Sequence, residues 1–154
     1  MRLVFAPAQT ARADTVAVPA LRQARSLKLL IIDDDPLVIE ALHSVLVGEA
    51  NVVVCAAGGQ EGIDLFMQAL PDAPFDAVIT DLGMPYIDGR KVAVAVKAAA
   101  RTTPVILLTG WGQRLQSDND IPDGVDHVLC KPPKLKELRA VLGDVAAGKG
   151  RRLS

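Results

Sequence analysis

Short apolar runs alternate along the chain with longer stretches in which apolar residues recur every three or four positions. The runs occupy residues 28–32, 51–56, 76–81, 104–109 and 125–130. Runs of this length, rich in Val, Ile and Leu and bounded by turn-forming residues, are typical of buried strands. The pattern therefore predicts five strands separated by helices.

Apolar residues with helical spacing lie between these strands. A first helix begins at Pro36, because Asp35 is a good N-cap and proline fits the first helical position. A second helix ends before Pro71, a third extends from about 89 to 99, and the last ends before Gly148. The predicted core-facing positions are Val38, Ala41, Leu42, Val45, Leu46, Ile63, Phe66, Met67, Leu70, Val92, Val96, Leu135, Leu138, Leu142 and Val145.

Five β/α repeats with short connections favour one architecture. Parallel crossovers are right-handed and place helices on both faces of a sheet. We therefore expect a doubly wound α/β fold, (βα)5, with a five-stranded parallel sheet. The polar segment 110–124, with Leu115 as its apolar anchor, predicts only a short and weakly held helix.

Composition and charge narrow the class of protein. The 154 residues are 50% hydrophobic but 3% aromatic, which suits one core of aliphatic side chains. A net charge of −1 favours neither nucleic acid nor an anionic membrane as a partner. The apolar runs are too short for a transmembrane helix and the N-terminus does not resemble a signal peptide, so a cytoplasmic location is expected. Cys55 and Cys130 lack metal-ligand spacing and are expected to be buried, reduced thiols.

The two ends of the chain differ from its centre. Residues 1–27 begin with a strand-like stretch, 1–6, and continue with the Ala, Pro, Gln and Arg residues of a linker. We expect them to be a linker and the end of a preceding domain, followed by a folded domain at 28–147 and a disordered tail at 148–154.

Polar groups follow four of the predicted strands where each leaves the sheet. The first strand is followed by Asp33, Asp34 and Asp35, the third ends in Asp81, the fourth ends in Thr109, and the last precedes Lys131. The carboxyl ends of parallel strands share one edge, where open α/β sheets bind ligands. Three acids gathered there need a cation or must protonate, since like charges a few ångströms apart repel strongly.

The order of these motifs resembles the receiver domain of the response-regulator family in two-component signalling. The resemblance covers about 28–147 and rests on Ile-Ile-Asp33-Asp34, Asp81-Leu-Gly-Met-Pro85, Leu-Leu-Thr109 and Lys131-Pro132. It implies a flavodoxin-like fold in which Asp81 accepts a phosphoryl group, Thr109 contacts that group and Lys131 pairs with it. It also implies that the Lys131–Pro132 peptide is commonly cis.

The same resemblance implies a metal and a partner. Asp33 and Asp34 organise a divalent cation, and Mg²⁺, which prefers six oxygen ligands, would use carboxylates that include Asp81 together with the backbone carbonyl of Gly83. Asp35 is accounted for by its capping role. The phosphoryl donor would be a histidine kinase or a histidine phosphotransfer domain, and the domain would promote its own phosphorylation and dephosphorylation.

Alternatives and departures remain. A haloacid-dehalogenase-like phosphatase would use Asp33 as its nucleophile, but that reading leaves Asp81 unexplained. Val128 stands where the family often has a Tyr or Phe, so an aromatic switch is not expected. The N-terminal stretch resembles the last strand of a kinase ATP-binding domain, which favours the C-terminal receiver of a hybrid sensor histidine kinase over a stand-alone regulator.

Overall fold

Five parallel strands form one sheet in the order β2-β1-β3-β4-β5. The computed structural model describes residues 26–110 and 122–147. The elements, in chain order, are β1 (Lys28–Ile32), α1 (Pro36–Gly48), β2 (Val52–Ala56), α2 (Gly59–Ala69), β3 (Ala77–Asp81), α3 (Gly89–Ala99), β4 (Val105–Thr109), β5 (His127–Cys130) and α4 (Leu135–Ala147). The expected doubly wound fold with a parallel sheet is confirmed. The helix expected within 110–124 lies outside the described residues, except at its ends.

Apolar side chains pack on both faces of the sheet, which explains why the central strands are apolar at nearly every position. Every residue of β3 and β4 is buried. On one face, Ile31, Ile79 and Ile106 pack with α1 and α4. On the other face, Leu30 and Val78 pack with α2 and α3 around Phe66. The sheet is therefore held rigidly from both sides, and so are the residues at the ends of its strands.

The helices bury narrower faces than the sequence predicts. In α1, Leu42 and Leu46 are buried and Val38 and Ile39 pack beside them, whereas Ala41 faces solvent. Met67 in α2 and Leu135 in α4 are also exposed. A periodic pattern marks the side of a helix that faces the core, but it does not fix how wide the contact with the sheet becomes.

Both ends of α1 have defined caps. The Asp35 carboxylate accepts a hydrogen bond from the Leu37 amide at 3.0 Å, and proline occupies the first turn, as predicted. At the other end, Ala50 has a φ of 70°. Its amide donates to the Val47 carbonyl, and the amide of Asn51 donates to Leu46. This pair of bonds is a Schellman motif, in which glycine usually occupies the left-handed position.

Replacing Ala50 with Gly is therefore expected to stabilise the protein. An L-residue in the left-handed region costs about 1–2 kcal/mol, and the added freedom of glycine in the unfolded chain offsets part of the gain. We expect the free energy of unfolding to rise by about 0.5–1 kcal/mol in urea titrations. Ala41→Gly, at an exposed position inside the same helix, should lower it by about 1 kcal/mol. A loss of stability in Ala50→Gly would contradict this assignment.

The amino-terminal edge of the sheet, opposite the strand ends that carry the acids, is fixed by its own polar contacts. Lys97 in α3 forms an ion pair of 2.6 Å with Asp126, whose carboxylate also accepts a hydrogen bond from the Val105 amide at 2.8 Å. These contacts fasten α3 to the start of β4 and β5. Within residues 26–110 and 122–147, no helix is long and apolar enough to cross a bilayer.

Candidate functional site

Strand register brings the predicted site residues together at the carboxyl edge of the sheet. Ile32 pairs with Thr80, so Asp33 and Asp81 follow at neighbouring positions on β1 and β3. Asp81 pairs with Leu108, which precedes Thr109 at the end of β4. Thr109 pairs with Cys130 on β5, and its carbonyl accepts a hydrogen bond from the Lys131 amide at 3.0 Å.

Three carboxylates form a cluster at this edge. Asp33, Asp34 and Asp81 each offer an oxygen, and these oxygens lie within 4.8 Å of one another. Asp33 is fully buried and Asp81 is 6% exposed, whereas Asp34 is open to solvent. The cluster is therefore held by two buried carboxylates and is accessible from the side of Asp34.

The carboxylate of Asp33 is unusual because only one of its oxygens has an aligned donor among the described residues. Its Oδ1 accepts a hydrogen bond of 2.8 Å from the Asp35 amide. Its Oδ2 is buried without a hydrogen bond in that part of the chain, although the Lys131 ammonium lies 3.1 Å away as an ion-pair partner. Burial raises the pKa of Asp33 above its ordinary value, and the hydrogen bond from the Asp35 amide and the contact with the Lys131 ammonium offset this only in part.

Lys131 connects the two buried carboxylates. Its ammonium donates to Asp81 Oδ1 at 3.0 Å and also pairs with Asp33. Burial acts to lower the pKa of Lys131, but its contacts with the negatively charged Asp81 and Asp33 outweigh burial and raise the pKa. The Lys131–Pro132 peptide is cis, as the family resemblance implied. Lys131 is therefore a permanent cation between two acids.

The loop after Asp81 has one closed side and one open side. The amide of Leu82 donates to the Leu108 carbonyl, the amide of Gly89 donates back to Leu82, and Met84 is buried. A Cβ on Gly89 would lie 2.5 Å from the Asp81 carbonyl oxygen, so α3 begins directly against the strand end. Gly83 is exposed and a Cβ there would meet nothing within 4 Å. The free space is thus on the outer side, two residues beyond Asp81.

Two further residues lie near this edge. Thr109 is 2% exposed at the end of β4. Val128 is buried against Leu107, with Leu82 and Val125 beside it, so an aliphatic side chain fills the position where an aromatic ring was noted as missing.

Cys55 and Cys130 are free thiols, but they are only half-buried, whereas the sequence predicted buried thiols. Burial raises the pKa of Cys55.

Sequence reasoning missed two contacts in the site. Asp35 serves it through its backbone amide, which binds Asp33, in addition to capping α1. Lys131 was expected to pair with a phosphoryl group, and here it pairs with Asp33 as well as Asp81. The run Asp33-Asp34-Asp35-Pro36 held a signal for the first contact, since an aspartate side chain in a turn commonly accepts a hydrogen bond from the amide two residues later.

The phosphatase alternative is not supported. In that function Asp33 would be the nucleophile, but both of its oxygens are engaged, Oδ1 by the Asp35 amide and Oδ2 by the Lys131 ammonium at 3.1 Å. Asp81 is the buried carboxylate that lies beside the open loop.

Known proteins match the same part of the chain. The family model described as response regulator receiver domain matches residues 29–143. The transcriptional regulatory protein QseB of Haemophilus influenzae is 33% identical over 116 residues, which are 75% of this chain and 51% of QseB. The response regulator MprA of Mycolicibacterium vanbaalenii is 32% identical over 114 residues, 74% of this chain and 48% of MprA. The chain thus spans about half the length of the curated relatives that it matches.

Solved structures agree with the sequence matches. A receiver domain protein from Clostridium thermocellum superposes with a TM-score of 0.69 at 26% identity, covering 82% of this chain and 96% of that one. The response regulator TrrA of Thermotoga maritima, solved in complex with Mg(2+)-BeF, gives a TM-score of 0.68 at 27% identity, covering 77% and 98%. With the matched residues including every strand end of the site, the chain belongs to the response regulator receiver domain family.

Proposed function

We propose that this receiver domain accepts a phosphoryl group on Asp81 from a phosphohistidine of a histidine kinase or a histidine phosphotransfer domain, with Mg²⁺ bound beside it. The observation that carries the proposal is the contact of Lys131 with Asp81 and Asp33 within a cluster of three carboxylates. This arrangement holds a nucleophilic carboxylate and a fixed positive charge side by side.

The carboxylate cluster suits Mg²⁺. Hard oxygen ligands are the ones that Mg²⁺ prefers, and it commonly binds through one or two carboxylates while keeping several waters. The buried Asp33 Oδ2, which lacks a hydrogen bond in the described residues, is an oxygen that a cation or its bound water would satisfy. We assign the metal to Asp33, Asp34, Asp81 and the Gly83 carbonyl. When bound, Mg²⁺ would neutralise charge on the transferred group.

Asp81 acts as the nucleophile in the proposed transfer. One of its carboxylate oxygens forms a bond to phosphorus as the bond from phosphorus to the imidazole nitrogen of the donor breaks, and the electron pair of that bond leaves with the imidazole. The product is an acyl phosphate on Asp81. The Lys131 ammonium lies 3.0 Å from Asp81 and stabilises charge on the phosphoryl oxygens, while the Thr109 hydroxyl donates to one of them.

The proposal is tested with acetyl phosphate as a donor of known chemistry. Incubation of the full chain with acetyl phosphate and Mg²⁺ should add one phosphoryl group per molecule, measured by intact mass. Removal of Mg²⁺ with EDTA should abolish the gain. An unchanged mass in the presence of Mg²⁺, with the fold verified by circular dichroism, would rule out this function.

Lys131→Ala is expected to separate metal binding from phosphoryl transfer. Loss of the ammonium leaves Asp33 and Asp81 without their shared counter-charge, so Mg²⁺ should bind more tightly, on the order of fivefold to tenfold at low salt. Phosphorylation by acetyl phosphate should nevertheless slow by about tenfold or more, because charge on the phosphoryl oxygens loses its partner. Calorimetry and intact mass measure the two effects.

Lys134→Ala removes an exposed lysine from the same region and is the matched control. It should leave both Mg²⁺ affinity and phosphorylation rate unchanged. A Lys131→Ala variant that binds Mg²⁺ more weakly than the wild type would contradict the competition between lysine and metal.

A further inference from the structure

Helix α3 and the turn after it carry four basic side chains. Arg90 and Lys91 are exposed in its first turn, and Arg101 is exposed just after the helix ends. The segment 89–102 contains no acidic residue, whereas residues 26–110 and 122–147 together hold nine basic and fifteen acidic side chains. The segment 89–102 is therefore purely basic, although the described residues as a whole carry more acidic than basic side chains.

Two apolar side chains accompany these cations. Val94 follows Arg90 by one helical turn and is 58% exposed, and Tyr86, just before the helix, is 94% exposed. We call the set of Tyr86, Arg90, Lys91, Val94 and Arg101 the α3 ridge. Tyrosine and arginine are the residues most enriched at energetic centres of protein interfaces. The composition of the ridge is thus that of a binding surface.

The helix dipole does not account for the basic residues at the start of α3, although the Lys91 ammonium also contacts the Tyr86 carbonyl at 3.5 Å. Asp88 is the N-cap, which places Arg90 and Lys91 at the second and third helical positions. The helix dipole favours acidic side chains there and disfavours basic ones. Residues that are unfavourable for the secondary structure in which they lie are expected where a function requires them.

The backbone at Tyr86 supports the same conclusion. Tyr86 has a φ of 67°, and the amide of Ile87 donates to the Pro85 carbonyl at 2.8 Å, which closes a γ-turn around it. A γ-turn with positive φ is rare and strained for a residue with a side chain. The aromatic ring of Tyr86 is almost wholly exposed to solvent, so it contributes nothing to the core that would offset this strain.

We propose that the α3 ridge binds an acidic amphipathic helix of a protein partner. Carboxylates of that helix would pair with Arg90 and Arg101, and an apolar side chain between them would cover Val94. Lys97 takes no part, because it is held by Asp126. Nucleic acid and anionic membranes fit less well, since the surplus of acidic side chains elsewhere repels extended arrays of phosphate.

The test uses a defined probe. A synthetic helical peptide of about four turns would carry one leucine with a glutamate one turn away on one side and two turns away on the other, to match the spacing of Arg90 and Arg101 from Val94. Titration into the full chain, followed by amide chemical shifts, should perturb residues 86–101. Replacing both glutamates of the peptide with glutamine should weaken binding by about tenfold, and so should Arg90→Gln combined with Arg101→Gln in the protein. Val94→Ser should weaken it about threefold.

Matched controls separate this surface from a general charge effect. Lys134→Gln combined with Lys136→Gln removes two exposed lysines near and on α4, and Val47→Ser removes an exposed valine from α1. Both should leave the affinity for the peptide within about twofold of the wild type. The proposal is overturned if the peptide perturbs other surfaces, if the paired glutamine variant binds as well as the wild type, or if duplex DNA or phosphatidylglycerol vesicles bind the ridge more tightly than the peptide.

Discussion

Asp81→Asn is expected to abolish phosphorylation by acetyl phosphate. The substitution keeps the size of the side chain and an oxygen that can accept the hydrogen bond from Lys131. It removes the nucleophilic carboxylate, and the neutral amide has no comparable nucleophilicity toward phosphorus. Because two other carboxylates lie within 4.8 Å, a transfer that needed only a nearby acid would survive the change. Intact mass after incubation with Mg²⁺ should show no added phosphoryl group.

Asp88→Asn is the matched control for this loss. Asp88 caps α3 by accepting a hydrogen bond from the Lys91 amide, and asparagine caps helices about as well as aspartate. The control removes one negative charge from the same loop and should gain phosphoryl mass as the wild type does. Equal phosphorylation of Asp81→Asn and the wild type would move the acceptor to another residue.

Asp33→Asn is expected to weaken Mg²⁺ binding by on the order of 10- to 100-fold while stabilising the protein without metal. The retained oxygen still accepts from the Asp35 amide, so the turn is preserved. Because burial raises the pKa of Asp33, its ionised form is disfavoured in the folded state, and a neutral side chain should raise the free energy of unfolding at neutral pH. The free energy of unfolding and Mg²⁺ affinity therefore move in opposite directions.

The pH dependence follows from the direction of this shift. A carboxylate whose folded pKa is raised contributes most to stability below its ordinary value of 3.8, and this contribution is lost as pH rises through the folded pKa. The free energy of unfolding of Asp33→Asn relative to the wild type should thus increase as pH rises through that window. At higher pH the difference should stay constant. In the wild type, Mg²⁺ should bind less tightly as pH falls through the same window, because protons compete with the metal for Asp33.

Asp35→Asn is the control, because that residue acts through its amide and its cap, both of which asparagine preserves. It should change neither Mg²⁺ affinity nor the pH profile of unfolding in urea. If Asp33→Asn bound Mg²⁺ as tightly as the wild type, the metal assignment would have to exclude Asp33.

Strand positions could be predicted from the sequence because the central strands are covered on both faces. Such strands must be apolar at successive positions, and β3 and β4 lie within one residue of their predicted limits. The start of the last strand was predicted at 125, two residues before His127, because apolarity does not show that the Asp126 side chain binds Lys97 and Val105 there. The buried faces of the helices were predicted less accurately. Ala41 and Met67 fit the helical period, but both side chains are exposed and lie outside the contact with the sheet.

The gathering of the site residues could also be predicted, since parallel strands place their carboxyl ends at one edge. The sharing of Lys131 between Asp33 and Asp81 could not, because the lysine side chain reaches from the end of β5 past β4 to the ends of β3 and β1. Asp33 is buried and Asp34 is exposed, although the two residues are adjacent in sequence. That difference comes from packing against the end of the sheet, which no local pattern records.

The two glycines of the loop after Asp81 imply unequal tolerance to substitution. Gly89 is closed in by the Asp81 carbonyl, Leu107 and Leu82, so any larger residue would push the strand end away from its place. Gly83 borders open space, and a side chain there leaves the backbone carbonyl intact. Sequence drift can therefore change the side chains on the outer side of this loop, while the inner side has to keep its glycine.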